Sequence, residues 1–383
     1  MIDDKFIDGF IDGAEKVSPN KNRYIFTFNK PTKYVTSTMG IFAPYRSIEL
    51  KKLINNITVN DRVYIHWFHN DIMQIINILD SRIPVYLFFW GGDFIEQSKD
   101  FCNFNYDPLT KWHIKKRKLL NTFHLFTNPL TYARLVRNYF LNGIKSTKST
   151  DEFLIRKNFL NRINYFCHWN KFDFEIICKV YECSPTFLNF FYGTEFINIQ
   201  NIIIDKKDIN TGTTIWLGNS DTETNNHLDA ISVLTKFKNN KIKILCPLSY
   251  GNIKYGNFIQ NQGQKIFKSK WNSLRVFFPL QQYLKLLGKV DIVVMYHNRT
   301  QAAGNIFASI KMGKKVYIKK QSTIYQFLQT HSMVIFDANT IKNVSFDEFS
   351  KSLTYDQSKS NNEKISNLFS EEKRIEYLNT LLN

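Results

Sequence analysis

The chain has 383 residues, which is enough for two domains, and 43% of them are hydrophobic, which is enough to build sizeable cores. No stretch approaches the ~20 consecutive apolar residues that cross a bilayer, which excludes a membrane-spanning segment. The formal net charge of +18 indicates an anionic partner, namely nucleic acid, a membrane surface or a phosphorylated substrate, although biased genome composition explains the excess of Lys, Asn and Ile as well.

The five cysteines have no paired metal-ligand spacing, which predicts a reduced protein without structural zinc. The N-terminal residues Met1–Phe6 are acidic and have no apolar core, so they do not form a signal peptide. We therefore expect a cytoplasmic protein that lies on the surface of any membrane it meets.

The first part of the chain predicts repeated strand–helix–strand units. The elements are a short helix within residues 1–22, the strand Tyr24–Phe28, the helix Ile48–Ile57, the strand Arg62–Trp67, the helix Asp71–Leu79 and the strand Val85–Trp90. The last strand is continuously apolar, as is typical of a strand buried on both faces of a parallel sheet.

A turn with two glycines, Trp90-Gly91-Gly92-Asp93, ends this strand at the sheet edge where α/β proteins bind ligands. Asp93 is a candidate general base, with Glu96 one turn further on, and the alternative is that Asp93 caps the next helix. His66, at the end of the preceding strand, is a third candidate because an imidazole exchanges protons near neutral pH. A His beside aromatic residues is nevertheless more often structural.

A basic run with interspersed apolar residues, Lys111–Lys118, predicts either contact with an anionic membrane or a solvated helix face. Beyond it we expect a strand at Leu119–Thr127, an amphipathic helix at Thr131–Leu141 and a polar loop at residues 142–157. We place the domain boundary between Tyr192 and Thr213. This gives an N-terminal domain of residues 1–200 and a C-terminal domain of residues 201–383.

The second half is organised around Thr214–His227, an apolar run that breaks into a polar loop. A helix at Leu228–Phe237 and a strand at Ile242–Leu248 follow, which completes a βαβ unit. Gly218 lets the main chain approach a ligand closely, and the helix N-terminus with its Ser, Thr and Asn side chains favours an anion. An ordinary turn with a polar helix cap is the alternative.

The remaining segments continue the alternation of strands and helices. They are predicted as the strand Ile266-Phe267, a helix at residues 281–287, the strand Asp291–Tyr296, a helix that ends at Gly313, the strand Lys315–Ile318, the helix Ile324–Leu328, the strand Met333–Phe336 and helical pieces in residues 340–383. Polar loops follow strands in both halves. We therefore predict the α/β class, with two Rossmann-like domains that face each other across a cleft.

The loops carry an ordered set of short motifs, namely Leu217–Ser220 followed by Thr224–His227, then Pro247–Gly251, Phe278–Tyr283 and Gln301–Asn305, with Trp90–Asp93 in the first half. Over roughly residues 60–340, this set resembles the bacterial N-acetylfucosamine (4-acetamido-4,6-dideoxygalactose) transferase family, the 4-alpha-L-fucosyltransferases of glycosyltransferase family 56. That family builds enterobacterial common antigen on a lipid-linked acceptor. Ser249 and Asn305 stand where the family has glycine, and these changes bear on which nucleotide-sugar fits.

The resemblance implies the GT-B glycosyltransferase fold, a nucleotide-diphosphate-sugar donor (a dTDP-sugar first of all) and an undecaprenyl-pyrophosphate-linked saccharide as acceptor. It also implies inversion at the anomeric carbon, in surface polysaccharide synthesis at the cytoplasmic face of the inner membrane, where the protein is peripheral to an anionic lipid surface. No metal or other cofactor is expected, because GT-B enzymes commonly stabilise the leaving group with helix dipoles and side chains. Nucleic acid is not expected as a partner.

For the site, the resemblance and the loop positions together predict Asp93 as the base, with Glu96 and His66 as weaker candidates. The predicted donor-binding residues are Gly218, Asn219, Ser220, Thr224, Asn225, Asn226, His227, Tyr250, Phe278, Tyr283, Gln301, Gly304 and Asn305. The three aromatic members are expected to line the nucleotide or sugar pocket, and most of the others to hold the diphosphate.

Three other functions remain open on sequence grounds. The nearest is transfer of a different sugar in O-antigen or capsule synthesis. A nucleic-acid-binding protein is favoured only by the charge, and its binding would fall steeply with salt. A catalytically inactive member that acts as an assembly or carrier protein would bind the donor without turnover.

Overall fold

The computed structural model describes residues 1–96, 98–127, 148–193 and 212–383. Its two larger sheets are parallel, and one lies on each side of residues 194–211 in the chain. The predicted helix Thr131–Leu141 and the division at residue 200 fall outside the described residues, so both stay predictions.

The first sheet consists of short parallel strands. A separate parallel pair, β1 (Tyr24–Phe26) and β2 (Gly40–Phe42), precedes the four-stranded sheet β3 (Val63–Ile65), β4 (Val85–Phe88), β5 (Tyr165–Cys167) and β6 (Thr186–Leu188), whose strands are hydrogen-bonded in chain order. All four residues of β4 are buried, as its continuously apolar sequence predicts. β4 therefore places the turn that follows it at the carboxyl edge of the sheet.

The helices of this half cover the sheet, and local side chains cap the start of some of them. They are α1 (Ile7–Val17), α2 (Ile48–Asn55), α3 (Ile72–Ile76), α4 (Cys102–Asn105), α5 (Pro108–Thr127), α6 (Lys148–Arg162) and α7 (Lys171–Tyr181). At the start of α2 the hydroxyl of Ser47 accepts the main-chain N–H of Leu50 at 3.0 Å. A short π-helical turn, Gly92–Glu96, follows β4.

The second sheet has six parallel strands. They are β7 (Thr213–Leu217), β8 (Ile242–Pro247), β9 (Trp271–Leu274), β10 (Ile292–Met295), β11 (Lys315–Ile318) and β12 (Phe336–Asp337), in the spatial order β12-β11-β10-β7-β8-β9. The chain runs outward from β7 to β9 and then returns to β10 on the other side of β7. This reversal creates a topological switch point between the carboxyl ends of β7 and β10, where open α/β sheets bind ligands.

Eight helices in the described part of the second half pack against this sheet or extend from it. They are α8 (His227–Leu234), α9 (Ile253–Phe267), α10 (Leu280–Gly288), α11 (Ala303–Lys311), α12 (Thr323–Thr330), α13 (Phe346–Ser350), α14 (Tyr355–Leu368) and α15 (Glu371–Leu382). The last of them returns to the first domain and packs against α1, where Arg374 donates to the carbonyl of Gly9 at 3.3 Å.

Three predicted elements are wrong. Leu119–Thr127 is the second half of α5 and not a strand, because residues 109–127 contain no Gly or Pro to end the helix. The predicted loop at 142–157 contains the start of α6, a polar helix that is held by the burial of Phe159 and Leu160. The pair Ile266-Phe267 ends α9, since a short apolar run does not by itself distinguish a strand from a buried helix segment.

Candidate active site

The loop that follows β7 passes through Gly218 in the left-handed region, at φ 70°. A Cβ at this position would lie 2.8 Å from Nε2 of His227 and 2.9 Å from Oδ1 of Asn225. The position therefore requires glycine, because neither the backbone angle nor the space suits a side chain. The main chain of the loop thus lies directly against two polar side chains at the switch point.

Amide and hydroxyl side chains join the strand ends on both sides of the switch point. Gln301, after β10, donates from Nε2 to Oδ1 of Asn219 at 2.9 Å and accepts from Oγ1 of Thr224 at 2.8 Å. Asn219 donates from Nδ2 to the hydroxyl of Tyr250, after β8, at 2.8 Å. Four of the predicted donor-binding residues are thus brought into one hydrogen-bonded network from three loops.

Asn225 closes the loop after β7 from the inside. Its Oδ1 accepts the main-chain N–H of Asn219 at 3.0 Å, and its Nδ2 donates to the hydroxyl of Ser220 at 3.1 Å. Ser220 and Asn225 are each only 1% exposed. These two side chains therefore shape the loop, and the prediction that they hold the donor stays untested.

Two buried imidazoles stand beside this network without hydrogen-bond partners. His227 begins α8 and His297 follows β10, and both rings are 0% exposed with neither nitrogen paired. Burial lowers the pKa of each to about 3, and the charge of Arg299 adds to this effect at His297. Both rings are neutral near pH 7, so each offers one N–H donor. A buried unpaired polar group is costly and calls for an explanation such as a ligand. His297 was not among the predicted site residues.

Asn226 joins the two domains. Its Oδ1 accepts the main-chain N–H of Asp107, which precedes α5, at 2.9 Å. Asp229, on the next turn of α8, accepts the N–H groups of Leu109 and Thr110 at 2.9 and 3.0 Å. The N-terminus of α5 is thus capped by a side chain of the other domain. The predicted role of Asn226 in diphosphate binding is untested, and here its side chain is engaged in the domain interface.

Asp93 lies in the π-helical turn after β4 and is 1% exposed. Its two carboxylate oxygens accept the main-chain N–H groups of Phe68 and Phe94, each at 3.1 Å. Burial, partly offset by these hydrogen bonds, raises its pKa to about 6. A carboxylate with this pKa can accept a proton near neutral pH far better than an exposed one. Asp93 does not cap an α-helix, which was the alternative.

Glu96, at the end of the same turn, reaches across the cleft to Arg299, which follows β10. The two form a salt bridge between the domains, with the Arg299 side chain 6% and the Glu96 side chain 33% exposed. Sequence analysis missed Arg299, although an ionisable residue soon after a buried strand was the same signal that selected Asp93. The salt bridge brings the turn that carries Asp93 next to the switch point.

His66 lies inside the first domain among aromatic rings. Its Nδ1 is 2.9 Å from the hydroxyl of Tyr192, and its ring stacks on Phe88 with centroids 4.5 Å apart. Burial lowers its pKa well below the usual value. These surroundings favour the structural role that was the alternative, and the role as a base stays untested.

The other predicted residues flank the switch point. Tyr283, in α10, contacts Trp216 edge to face at 5.1 Å between centroids, and its buried hydroxyl has no hydrogen-bond partner. Phe278 is half-buried just before α10, and Gly304 and Asn305 lie in the first turn of α11, directly after Gln301. Their proposed contacts with the donor are untested.

Among the described residues, no three His, Cys, Asp or Glu side chains are grouped as a metal site would require. A cavity of about 910 Å³ lies in the first domain between β1, β3 and the end of α15, and it touches His66 and Trp67. It is separate from the switch point. The ring of Trp67 lies against Gly92, so the cavity and the Asp93 turn share one wall.

A family model described as "4-alpha-L-fucosyltransferase glycosyl transferase group 56" matches residues 164–371, which is more than half of the chain. The matched segment contains the switch-point loops after β7, β8 and β10. It leaves out the turn that carries Asp93 and Glu96.

Solved glycosyltransferases have the same fold at low sequence identity. A glycosyltransferase from Rickettsia africae matches with a TM-score of 0.61 and 11% identity over 98% of this chain and 93% of that one. An E. coli structure described as trehalose-6-phosphate bound with UDP-2-fluoro glucose has a TM-score of 0.57 and 10% identity, over 99% and 94%. A trehalose-6-phosphate synthase studied for glycosyltransfer with retention matches with a TM-score of 0.55 and 11% identity. The match covers 98% of this chain and 94% of that one. The chain therefore has the two-domain GT-B fold.

Proposed function

We propose that this chain, which belongs to the 4-alpha-L-fucosyltransferase family of glycosyl transferase group 56, moves a deoxy-acetamido sugar of the N-acetylfucosamine type from a dTDP-sugar to an undecaprenyl-pyrophosphate-linked saccharide. The observation that carries the proposal is the approach of the Asp93 turn to the switch point, where Glu96 meets Arg299. A base and an anion-binding edge at one cleft are what glycosyl transfer from a diphosphate donor requires.

In the proposed reaction Asp93 takes the proton of the acceptor hydroxyl. The acceptor oxygen forms a bond to the anomeric carbon as the bond from that carbon to the donor phosphate breaks, and the diphosphate leaves with the electron pair. A single displacement of this kind inverts the anomeric centre. Near neutral pH a carboxyl group with a pKa of about 6 is largely ionised and able to accept the proton.

Neutral donors on the second domain are proposed to hold the diphosphate. The α8 N-terminus supplies main-chain N–H groups, and His227 supplies an unpaired ring N–H. The E. coli neighbour bound with a UDP-sugar supports a nucleotide-sugar as donor. No metal is proposed in this role.

The acceptor would be reached at an anionic membrane surface. On α5, Leu109, Trp112 and Leu119 are exposed beside Lys115 and Lys116. Exposed apolar side chains next to lysines suit the boundary between lipid head groups and acyl chains. In the described part of the chain, no helix has both the length and the apolar character to cross a membrane. We propose a peripheral position at the cytoplasmic face of the inner membrane.

The test is a transfer assay with the purified full chain, a polyprenyl-pyrophosphate disaccharide and a panel of nucleotide-sugars that includes TDP-4-acetamido-4,6-dideoxygalactose. We expect turnover with one donor, an inverted product by NMR, and a loss of about 100-fold or more in kcat for Asp93→Asn with donor binding retained. Asp61→Asn, an exposed carboxylate in a turn, is the control and should behave as wild type.

The outcomes separate the parts of the proposal. Turnover in Asp93→Asn would remove Asp93 as the base and direct attention to Glu96 and His66. A retained anomeric configuration would overturn the single displacement. Turnover with a different donor only would favour another sugar of O-antigen or capsule synthesis. Donor binding without turnover would point to an inactive carrier protein, and salt-sensitive binding of nucleic acid alone would overturn the enzyme.

A further inference from the structure

The guanidinium of Arg299 is the best candidate in the described residues for a cation that meets the donor diphosphate. It lies two residues before Gln301, the centre of the switch-point network, and its side chain is 6% exposed. One nitrogen, Nη1, donates to the carbonyl of Thr300 at 2.8 Å. The buried Nε has no partner, so the group has a hydrogen-bond donor left to satisfy.

The main chain of the first domain comes close to this guanidinium. Gly91, at φ 82°, lies so near that a Cβ there would be 3.8 Å from Nη1 of Arg299. Gly92 and Asp93 continue directly into the turn that bears Glu96. The carboxylate that now holds Arg299 and the proposed base are therefore on one π-helical turn of five residues, Gly92–Glu96.

Four described cations lie at this sheet edge or at its domain contacts, and each faces a carboxylate. One of them is Arg117, whose partner Glu223 is 15% exposed. Lys319 pairs with Asp107, whose side chain is 12% exposed, and Arg275 is 3.8 Å from Asp221, which is 1% exposed. The partner of Arg299 is much more exposed, at 33% for Glu96. Releasing a carboxylate that already contacts water costs the least, because little solvation has to be regained.

We propose that Glu96 occupies on Arg299 the place that an oxygen of the donor diphosphate takes when the donor binds. This inference rests on the proposed function. Carboxylate and phosphate oxygens accept from a guanidinium in the same geometry, so they compete for one donor group. The exchange adds a positive charge to the departing diphosphate and releases the Glu96 side chain.

The exchange makes the two substrates bind in order. While Glu96 bridges to Arg299, the turn that carries Asp93 is tied to the second domain. When the donor takes Arg299, this tie is lost and the acceptor gains access to Asp93 from the cleft. Arg299 acts on the leaving group. Glu96 is a positioning residue, because its release from Arg299 on donor binding opens the access of the acceptor to Asp93.

The experiment measures binding of thymidine diphosphate and uridine diphosphate to the full chain by isothermal titration calorimetry. Glu96→Gln should bind the preferred one about threefold more tightly than wild type, because a competing charge is gone. Arg299→Gln should bind it about 10- to 100-fold more weakly. In the double variant the gain from Glu96→Gln should disappear, which a general loosening of the interface would not produce.

Arg117→Gln is the matched control, because it removes another salt bridge between the domains, the 2.6 Å contact of Arg117 with Glu223. It should leave nucleotide affinity unchanged. Thermal unfolding of each variant shows whether it is folded, and Glu96→Ala stands in if Glu96→Gln is not. Nucleotide binding that is equal in wild type and Arg299→Gln would overturn the exchange and leave the proposed function standing. A gain of equal size in Arg117→Gln would do the same. Failure of wild type and Glu96→Gln to bind either nucleotide would overturn both the exchange and the proposed function.

Discussion

The turn after β4 and the loop after β7 begin in the same way, since in each a buried strand is followed by glycine and then by a polar residue. In the first, burial raises the pKa of the acid Asp93 to about 6. In the second, burial lowers the pKa of the base His227 to about 3. Desolvation favours the neutral form in both places. It therefore brings the pKa of the acid closer to neutral pH and moves the pKa of the imidazole further from it. One loop is thereby suited to proton transfer and the other to hydrogen bonding without charge.

The same shifts affect stability in opposite directions. The raised pKa of Asp93 contributes stability that is full below the unfolded value of about 4 and is lost as pH rises through about 6. The lowered pKa of His227 and His297 contributes stability that is present above the unfolded value of about 6.5 and is lost as pH falls toward 3.

The largest expected effect comes from adding a side chain at Gly218, in the loop after β7. Gly218→Ala places a Cβ within 3 Å of His227 and Asn225, so the loop must shift and the donor loses its position. We expect kcat/KM for the donor to fall about 100-fold.

Gly313→Ala is the control for this prediction, because Gly313 also has a φ of 70° and a Cβ there would also clash, with Oγ of Ser358, but it lies at the end of α11. Both variants should lose about 1–2 kcal/mol of unfolding free energy from the left-handed backbone. Equal losses of activity in the two variants would mean that strain alone accounts for the effect, and not a displacement of the loop after β7.

The next largest expected effect concerns the carboxylate of Asp93, in the turn after β4. If Asp93 is the base, kcat/KM should fall through a pKa near 6 as pH decreases, to about one tenth of its plateau at pH 5. The measurement is a pH–rate profile between pH 5 and 8, with circular dichroism at each pH to show that the enzyme stays folded. A profile that remains flat down to pH 5 would contradict this role.

The smallest effect concerns the two imidazoles. When the pH is lowered from 6.5 to 5.5, the free energy of unfolding should fall by about 1 kcal/mol for each buried neutral His. The reason is that only the unfolded chain takes up the proton. His297→Phe should reduce this dependence in urea titrations at the two pH values. His331→Phe, at a half-buried site after α12, is the control. An unchanged pH dependence in His297→Phe would show that this ring is not held neutral.

The sequence predicted much of the second domain, because its strands β7, β8, β10 and β11 are mainly apolar runs of four to six residues with helices of clear period between them. The loops after β7, β8 and β10 were identified from the same alternation, since parallel strands place their carboxyl ends at one edge. The first domain was harder. Its strands β3, β5 and β6 have only three residues, and its basic run belongs to a 20-residue helix, α5, whose apolar half was mistaken for a strand.

What the sequence determined by itself was therefore the class of fold, the order of the polar loops and the set of motifs that matches the family. Each of these depends on local periodicity and on residues near one another in the chain. Only the tertiary structure decided which side chains meet. Asn226 bonds to the first domain, Glu96 faces Arg299 some 200 residues further along the chain, and His297 stands unpaired beside the network at the switch point. Hydrogen bonds and desolvation depend on distances in space, and no pattern along the chain contains them.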